Sequence, residues 1–380
     1  MKPSERLYFL DNLRAVVIVL VIVLHAAITY MAFAPEWWYV LDPERSLFFT
    51  MVVLLVDVPI MLIMFFVAGY FALPSLAKRG AATFLSDKFK RIGLPWIFGV
   101  LLLAPPTAYM IYFSRGAPLS LLDFWRGDYW GVGYQQSVYW FLGILMLMFV
   151  LLTLAYNLSP ALRSLAPTVT RPSSGLFVTF LGLMTVGFLA MNLIFPLDAW
   201  SHIYLFMYQP VRLPLYFGYF ILGVLAYRQS WFSSTGYQPR LVVWLPLFVV
   251  SGLLYLGYRL TVPLEIQTTL TLKAGTALLF NGFCFSGLMF GVALFRTFFN
   301  SDSAFWRSQA ANSYGIYYLH PLILYPLALL FVSVPISIYL KFIIITTLTW
   351  LLSWGISALI LQPLHILSES TPSPRKPVRV

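Results

Sequence analysis

Polar residues along the chain come in short clusters, and between them the apolar positions run on for about twenty residues at a time. Such runs fall at 12–33, 47–73, 92–113, 138–157, 176–196, 210–228, 241–260, 270–295, 312–332 and 336–361. A bilayer core of about 30 Å is crossed by roughly 20 residues of helix, and strands that do not close into a barrel would leave backbone groups unpaired in lipid. The pattern therefore predicts an all-α fold, a polytopic membrane helix bundle of ten spans. The run at 210–228 is the weakest, because Pro210 and Pro214 interrupt it. Connections such as Pro74–Lys90, Ser159–Ser174, Gln229–Arg240 and Asn300–Asn312 are too short for a soluble domain, so residues 1–367 read as one transmembrane domain. Residues 368–380, with Pro372, Pro374, Lys376 and Pro377, read as a disordered cytoplasmic tail. Gly69-Tyr70-Phe71 is echoed by Gly218-Tyr219-Phe220, too briefly to define a repeat.

Composition narrows the class further. The chain is 60% hydrophobic and 10% charged, where soluble proteins are about a quarter charged. A soluble fold and a disordered chain are both excluded. The net charge of +11 comes from 24 Lys+Arg against 13 Asp+Glu, and its distribution speaks for membrane topology rather than nucleic acid. With ten spans, the side that holds both termini carries 17 of the 24 basic residues and the other side carries 7. The positive-inside rule then predicts cytoplasmic termini in a multi-pass protein of the cytoplasmic (inner) membrane. Lys2 and Arg6 ahead of an apolar stretch resemble a signal peptide, but the run to Ala34 is too long for one and is expected to stay as the first span. The lone Cys284 allows no internal disulfide.

Ionisable side chains inside spans are costly and mark candidate function. The first span holds Asp11, Arg14 and His25. At about 100° per residue Arg14 and His25 point within roughly 20° of each other, and Asp11 lies within roughly 40° of His25 on the other side. One helical stripe thus carries all three, with the imidazole about 16 Å from Arg14 and near mid-membrane. The plainer alternative is an Asp11–Arg14 pair at the membrane edge and a hydrogen-bonded packing histidine. Asp57 in the second span is expected at similar depth, as a partner for His25, an ion site or a buried neutral carboxyl. Lys90 and Arg91 open the third span, where they can clamp phosphate groups, whereas Lys78 and Arg79 fit ordinary contact with anionic lipid. In the ninth span His320 follows Tyr317 by one turn and precedes Pro321, which frees a backbone carbonyl; a structural and a catalytic imidazole are both open there. His202 and His365 receive no role. The histidines lack metal-ligand spacing, so no metal site is expected. Gly287 and Gly291 suit close helix packing. The aromatic loop with Trp125, Tyr129, Trp130 and Tyr134 fits an interfacial belt or a rim that stacks on sugar rings.

Several of these pieces together resemble acyltransferase family 3, the membrane O-acyltransferases that modify cell-surface glycans. The resemblance begins at Leu10-Asp11-Asn12-Leu13-Arg14 and His25. It continues through Phe65–Phe71, Arg91–Pro95, Tyr139–Leu142 and Gly218–Gly223 to Tyr314–Pro321. Length and opening are most similar to the branch containing the periplasmic-glucan succinyltransferase. The O-antigen type carries a Trp-Ser-Leu-x-x-Glu signature, but here Trp140 is followed by Phe141, Leu142, Gly143, Ile144 and Leu145, so that glutamate has no counterpart. A fused extracytoplasmic hydrolase-like domain is also not expected, and transfer would be direct or through a separate partner.

The resemblance implies an acyl-CoA-dependent O-acyltransferase with acyl-CoA as co-substrate and no resident cofactor. The donor would be held at the cytoplasmic face by Arg14, Lys90 and Arg91. His25 would act as general base, with Arg14 and Asp57 in the catalytic group and Asp11, Trp140, Tyr317 and His320 lining the site. The expected partners are membrane lipids, acyl-CoA and a glycan or other hydroxyl acceptor, and not nucleic acid. The rival readings are a proton-coupled transporter of a sugar or lipid intermediate that uses Asp57 and His25, and a non-catalytic membrane subunit.

Overall fold

The computed structural model describes residues 7–163 and 169–362. Ten of its helices are long and apolar enough to cross a membrane: α1 Tyr8–Ile28, α2 Leu47–Arg79, α3 Ala81–Phe113, α4 Trp140–Leu158, α5 Ser174–Ile194, α6 Pro210–Arg228, α7 Leu241–Thr261, α8 Leu270–Phe298, α9 Ala304–Val332 and α10 Ile338–Leu361. Each predicted run corresponds to one of them, and the fold is the predicted all-α bundle. Lys2, Arg6, His365 and the tail from 368 lie outside the described residues.

The helices reach further into the basic segments than the hydrophobic pattern predicts. α2 continues past Pro74 to Arg79, Gly80 breaks the chain with a positive φ of 78°, and α3 starts at Ala81. The first turns of α3 are amphipathic. Phe84 is fully buried, and the Lys88 ammonium lies over the Phe149 ring, 4.6 Å from its centroid. α3 also contains two π-helical turns, Phe89–Gly93 and Gly99–Leu103. Pro105 has no N–H for the carbonyl of Leu101, and that carbonyl instead accepts from Trp125 Nε1 at 3.0 Å. At the basic face of α9, Ser303 caps a helix that begins eight residues before the apolar run.

Helix approach is set by small residues. α2 and α6 form the most extensive helix pair. A Cβ on Gly69 would collide with the backbone carbonyl of Phe220, and one on Gly223 with that of Phe66. The two echoed segments are therefore the two sides of one contact. Gly287 of α8 faces Pro59 of α2, and Gly291 faces Leu13 of α1, the close packing expected of that pair. The apolar window of α8 is 72% buried and that of α5 11%, which places α8 at the centre and α5 at the rim.

Because ten helices alternate in direction, the connections 29–46, 114–139, 195–209, 262–269 and 333–337 share one face, away from Lys90 and Arg91. The 29–46 connection is tied down firmly. Asp42 N bonds Thr29 O, Ser46 N bonds Tyr30 O, and Lys341 Nζ reaches Asp42 Oδ2 at 2.9 Å in a buried ion pair. Arg115 adds bonds to the carbonyls of Glu36 and Trp38 at 2.7 and 3.0 Å. A small antiparallel hairpin, β1 Ser201–Ile203 and β2 Phe206–Tyr208, closes the neighbouring edge. Most of the aromatic loop turns inward rather than forming a rim. Tyr129 is fully buried with its hydroxyl on Val100 O at 2.7 Å, and burial pushes its phenol up. Tyr134 bonds Leu205 O, and Trp130 is the exposed ring of that group.

Candidate active site

The site starts from a missing hydrogen bond. Pro321 lies inside α9 and cannot donate to Tyr317 O one turn earlier. His320 fills the gap, with its Nδ1 2.7 Å from that carbonyl. A carbonyl only accepts, so Nδ1 carries the proton and Nε2 of the neutral ring is left as an acceptor. His25 Nδ1 lies 3.0 Å from this Nε2 and must donate to it. The lone pair of the His25 pair of nitrogens is then on Nε2. The two rings are stacked with centroids 5.2 Å apart. His320 is completely buried and His25 half-buried.

The open side of His25 faces a cavity of roughly 260 Å³. Its wall includes Trp38 from the tied-down connection, Asp57, Trp140, Arg212, Tyr317 and Arg259. Trp38 stands over His25 with ring centroids 5.6 Å apart. Four of the helices contribute from the end nearer the loop face: the last turns of α1 and α7, and the first turns of α4 and α6. His25 lies close to the end of α1 at Ile28, so its depth comes from the 29–46 cover and not from a mid-helix position.

Electrostatics within the cavity departs from expectation. Asp57 pairs with Arg212, not with His25. The pairing follows from chain placement, since α6 packs along α2 and delivers the first guanidinium of its span to the carboxylate. Arg259 contributes a second guanidinium from the last turn of α7.

Of the residues singled out from the sequence, the structure brings His25, Tyr317, Asp57 and Trp140 to the chamber wall, while His320, expected to line the site, is fully buried behind His25. It does not bring the donor-side group there. Asp11 and Arg14 pair with each other at 3.7 Å at the opposite face, Lys90 is exposed, Arg91 is half-buried, and none of the four lines the cavity. The cavity therefore does not connect Arg14 with His25, although one helical stripe carries both. Its inner end is at Val21, and Val17 and Ile18 are buried in helix packing below it. Helical phase put Arg14 and His25 on one stripe but said nothing of the side chains that fill the space between. Arg212 and Arg259 went unnoticed as site residues. The signal was available: both are cations within predicted spans on the side with few basic residues, the same argument that singled out Asp57.

The scattered motif segments also interlock behind the histidines. Tyr318 Oη donates to Pro95 O at 2.8 Å and Tyr139 Oη to Tyr318 O at 3.0 Å, while Tyr317 Oη donates to Val138 O. The framework sinks an oriented imidazole into a chamber among the helices of a polytopic membrane bundle. The sequence model of acyltransferase family 3, described as an acyltransferase domain, matches residues 7–358, and the chain belongs to that family. Over 151 residues it is 28% identical to the glucans biosynthesis protein C of Shigella boydii serotype 4 (strain Sb227) and to that of Escherichia coli strains SMS-3-5 / SECEC and K12. That stretch is 38% of this chain and 38% of each relative, so the match spans well under half of those proteins. No solved structure is significantly similar.

Proposed function

We propose that this protein is a cytoplasmic-membrane O-acyltransferase that moves an acyl group from acyl-CoA to a hydroxyl of a cell-envelope glycan, with His25 as general base. The observation that carries the reading is the chain of hydrogen bonds from Tyr317 O through His320 to His25, which leaves the His25 Nε2 lone pair toward a chamber. The acceptor hydroxyl gives its proton to Nε2 as its oxygen attacks the thioester carbonyl. The C–S bond then breaks, the ester forms, and the departing thiolate takes the proton back from the imidazolium. General-base assistance of this kind contributes about 10²–10⁴-fold. His320 is fully buried, does not line the chamber and serves as a positioning residue. The family supports acyl transfer, and the similarity to glucans biosynthesis protein C supports a glucan or related glycan as acceptor.

Donor entry is placed at the basic face, with Arg14, Lys90 and Arg91 on the CoA phosphates and both termini in the cytoplasm. Arg14 lies about 10 Å of helix below Val21, so passage of the acyl arm requires the packing around Val17 and Ile18 to part. The proton-coupled transporter fares less well. Its relay needs Asp57 and His25 in contact, and Asp57 is engaged by Arg212.

The test is acyl transfer in membranes supplied with labelled acyl-CoA and glucan. His25→Ala should lower the rate at least 100-fold with protein level unchanged. Transfer at the wild-type rate would refute the assignment, and loss of proton-coupled solute uptake on Asp57→Asn with no acylated product would establish the transporter instead.

A further inference from the structure

The cavity holds more positive charge than its carboxylates use. Arg212 spends Nη2 on Asp57, and its Nε is buried with no hydrogen-bond partner. Arg259 has two buried nitrogens, Nε and Nη1, without a partner, and no carboxylate among the described residues forms an ion pair with it. Among the charged groups lining the chamber, Asp57 is committed to Arg212 and Asp198 is exposed at the rim. The interior wall therefore carries one guanidinium more than its carboxylates can answer. Arg259 is half-buried as a residue, but guanidinium N–H groups that are buried without an acceptor are costly, and inside a membrane bundle costlier still. Arg259 also shares the chamber with Tyr255 and Gln209, polar groups that suit a hydrogen-bonding guest over a purely apolar one.

We infer that Arg259 forms an oxyanion subsite in the His25 chamber, which takes a carboxylate or phosphoryl group carried by one of the two substrates. This inference rests on the acyltransferase reading for what the chamber holds, but the subsite itself is defined by the guanidinium. Planar guanidinium groups recognise carboxylate and phosphate oxygens through directed, charge-assisted hydrogen bonds. Arg212, held by Asp57, forms the fixed flank of the subsite, and Arg259 supplies the open donors. The anion has two candidate sources: the far end of the transferred acyl group, or an acidic substituent on the acceptor.

The test is anion binding by the full chain purified in detergent, at constant ionic strength, read as the concentration that half-saturates the rise in unfolding temperature. The probes are succinate, glucuronate and inorganic phosphate, with succinamide and glucose as neutral counterparts. At least one anion should saturate, its neutral counterpart should not, and Arg259→Gln should raise the half-saturating concentration at least tenfold. Arg259→Lys, which keeps the charge without the planar fork, should fall between. Preference for succinate assigns the anion to the acyl group, and preference for glucuronate or phosphate assigns it to the acceptor. The inference is overturned if no anion saturates the wild-type protein, or if the Arg259→Gln variant, folded by its anion-free unfolding temperature, binds as well as wild type. His25→Ala should bind the anion normally. Were that variant to retain acyl transfer while anion binding still depended on Arg259, the catalytic reading would fall and the subsite would stand.

Discussion

Pro321 removes one hydrogen bond from α9, and the orientation of the site follows from how that loss is filled. His320 donates to the freed Tyr317 carbonyl, and this single bond decides which nitrogen of His25 is basic. Pro321→Ala restores an N–H aimed at the same carbonyl and sets up a competitor for His320 Nδ1. The transfer rate should fall about 10-fold or more without a loss of thermal stability, since an alanine favours the helix. Acyl-transfer kinetics together with an unfolding curve in detergent check both halves. A variant with full activity would mean that the proline does not set the tautomer. At this scale the sequence was informative about identity and poor about partners. His25, Asp57 and His320 stood out as polar groups in apolar runs, but which of them meet depends on helix pairing that no local pattern encodes.

Between elements, the α2–α6 contact is what delivers Arg212 to Asp57. Gly69 and Gly223 let the two backbones touch, so a side chain at either site must push the helices apart. Gly223→Ala is expected to destabilise the protein by about 1–3 kcal/mol, the range of overpacked cores. It should also reduce transfer by loosening the chamber wall. An unfolding temperature equal to wild type would contradict the packing described here. The repeated Gly-Tyr-Phe in the sequence was the visible trace of this contact, too short to interpret without knowing that the two segments are neighbours. The helical starts of α3 and α9 were missed for a related reason. A hydropathy run ends where polar residues begin, while an amphipathic helix continues as long as one face can bury Phe84 or its equivalent.

For the molecule as a whole, ten spans and their alternation were legible because twenty-residue apolar runs and basic clusters are dictated by the bilayer itself. The cover over the site was not. The apolar runs leave residues 34–46 as a gap between the first two spans, yet in the structure the buried Asp42–Lys341 pair and the Arg115 bonds fix Trp38 above His25. Sidedness is open to direct test, because the one natural cysteine, Cys284, is buried. Tyr204 is 92% exposed in the hairpin connection and Ser234 is exposed on the opposite face. In intact cells a membrane-impermeant thiol reagent should label Tyr204→Cys and reach Ser234→Cys only after the membrane is opened. The reverse pattern would place Arg14, Lys90 and Arg91 outside the cell, away from any cytoplasmic acyl-CoA.

The most direct test of the central claim, that an oriented His25 is the base, is a double-mutant cycle on labelled-acyl transfer with His25→Gln, His320→Gln and both together. His25→Gln should lower the rate about 10²–10⁴-fold, His320→Gln should lower it by less, and the double variant should be no slower than His25→Gln alone. Losses that multiply independently, or a His25→Gln protein that transfers acyl groups at the wild-type rate, would contradict the claim.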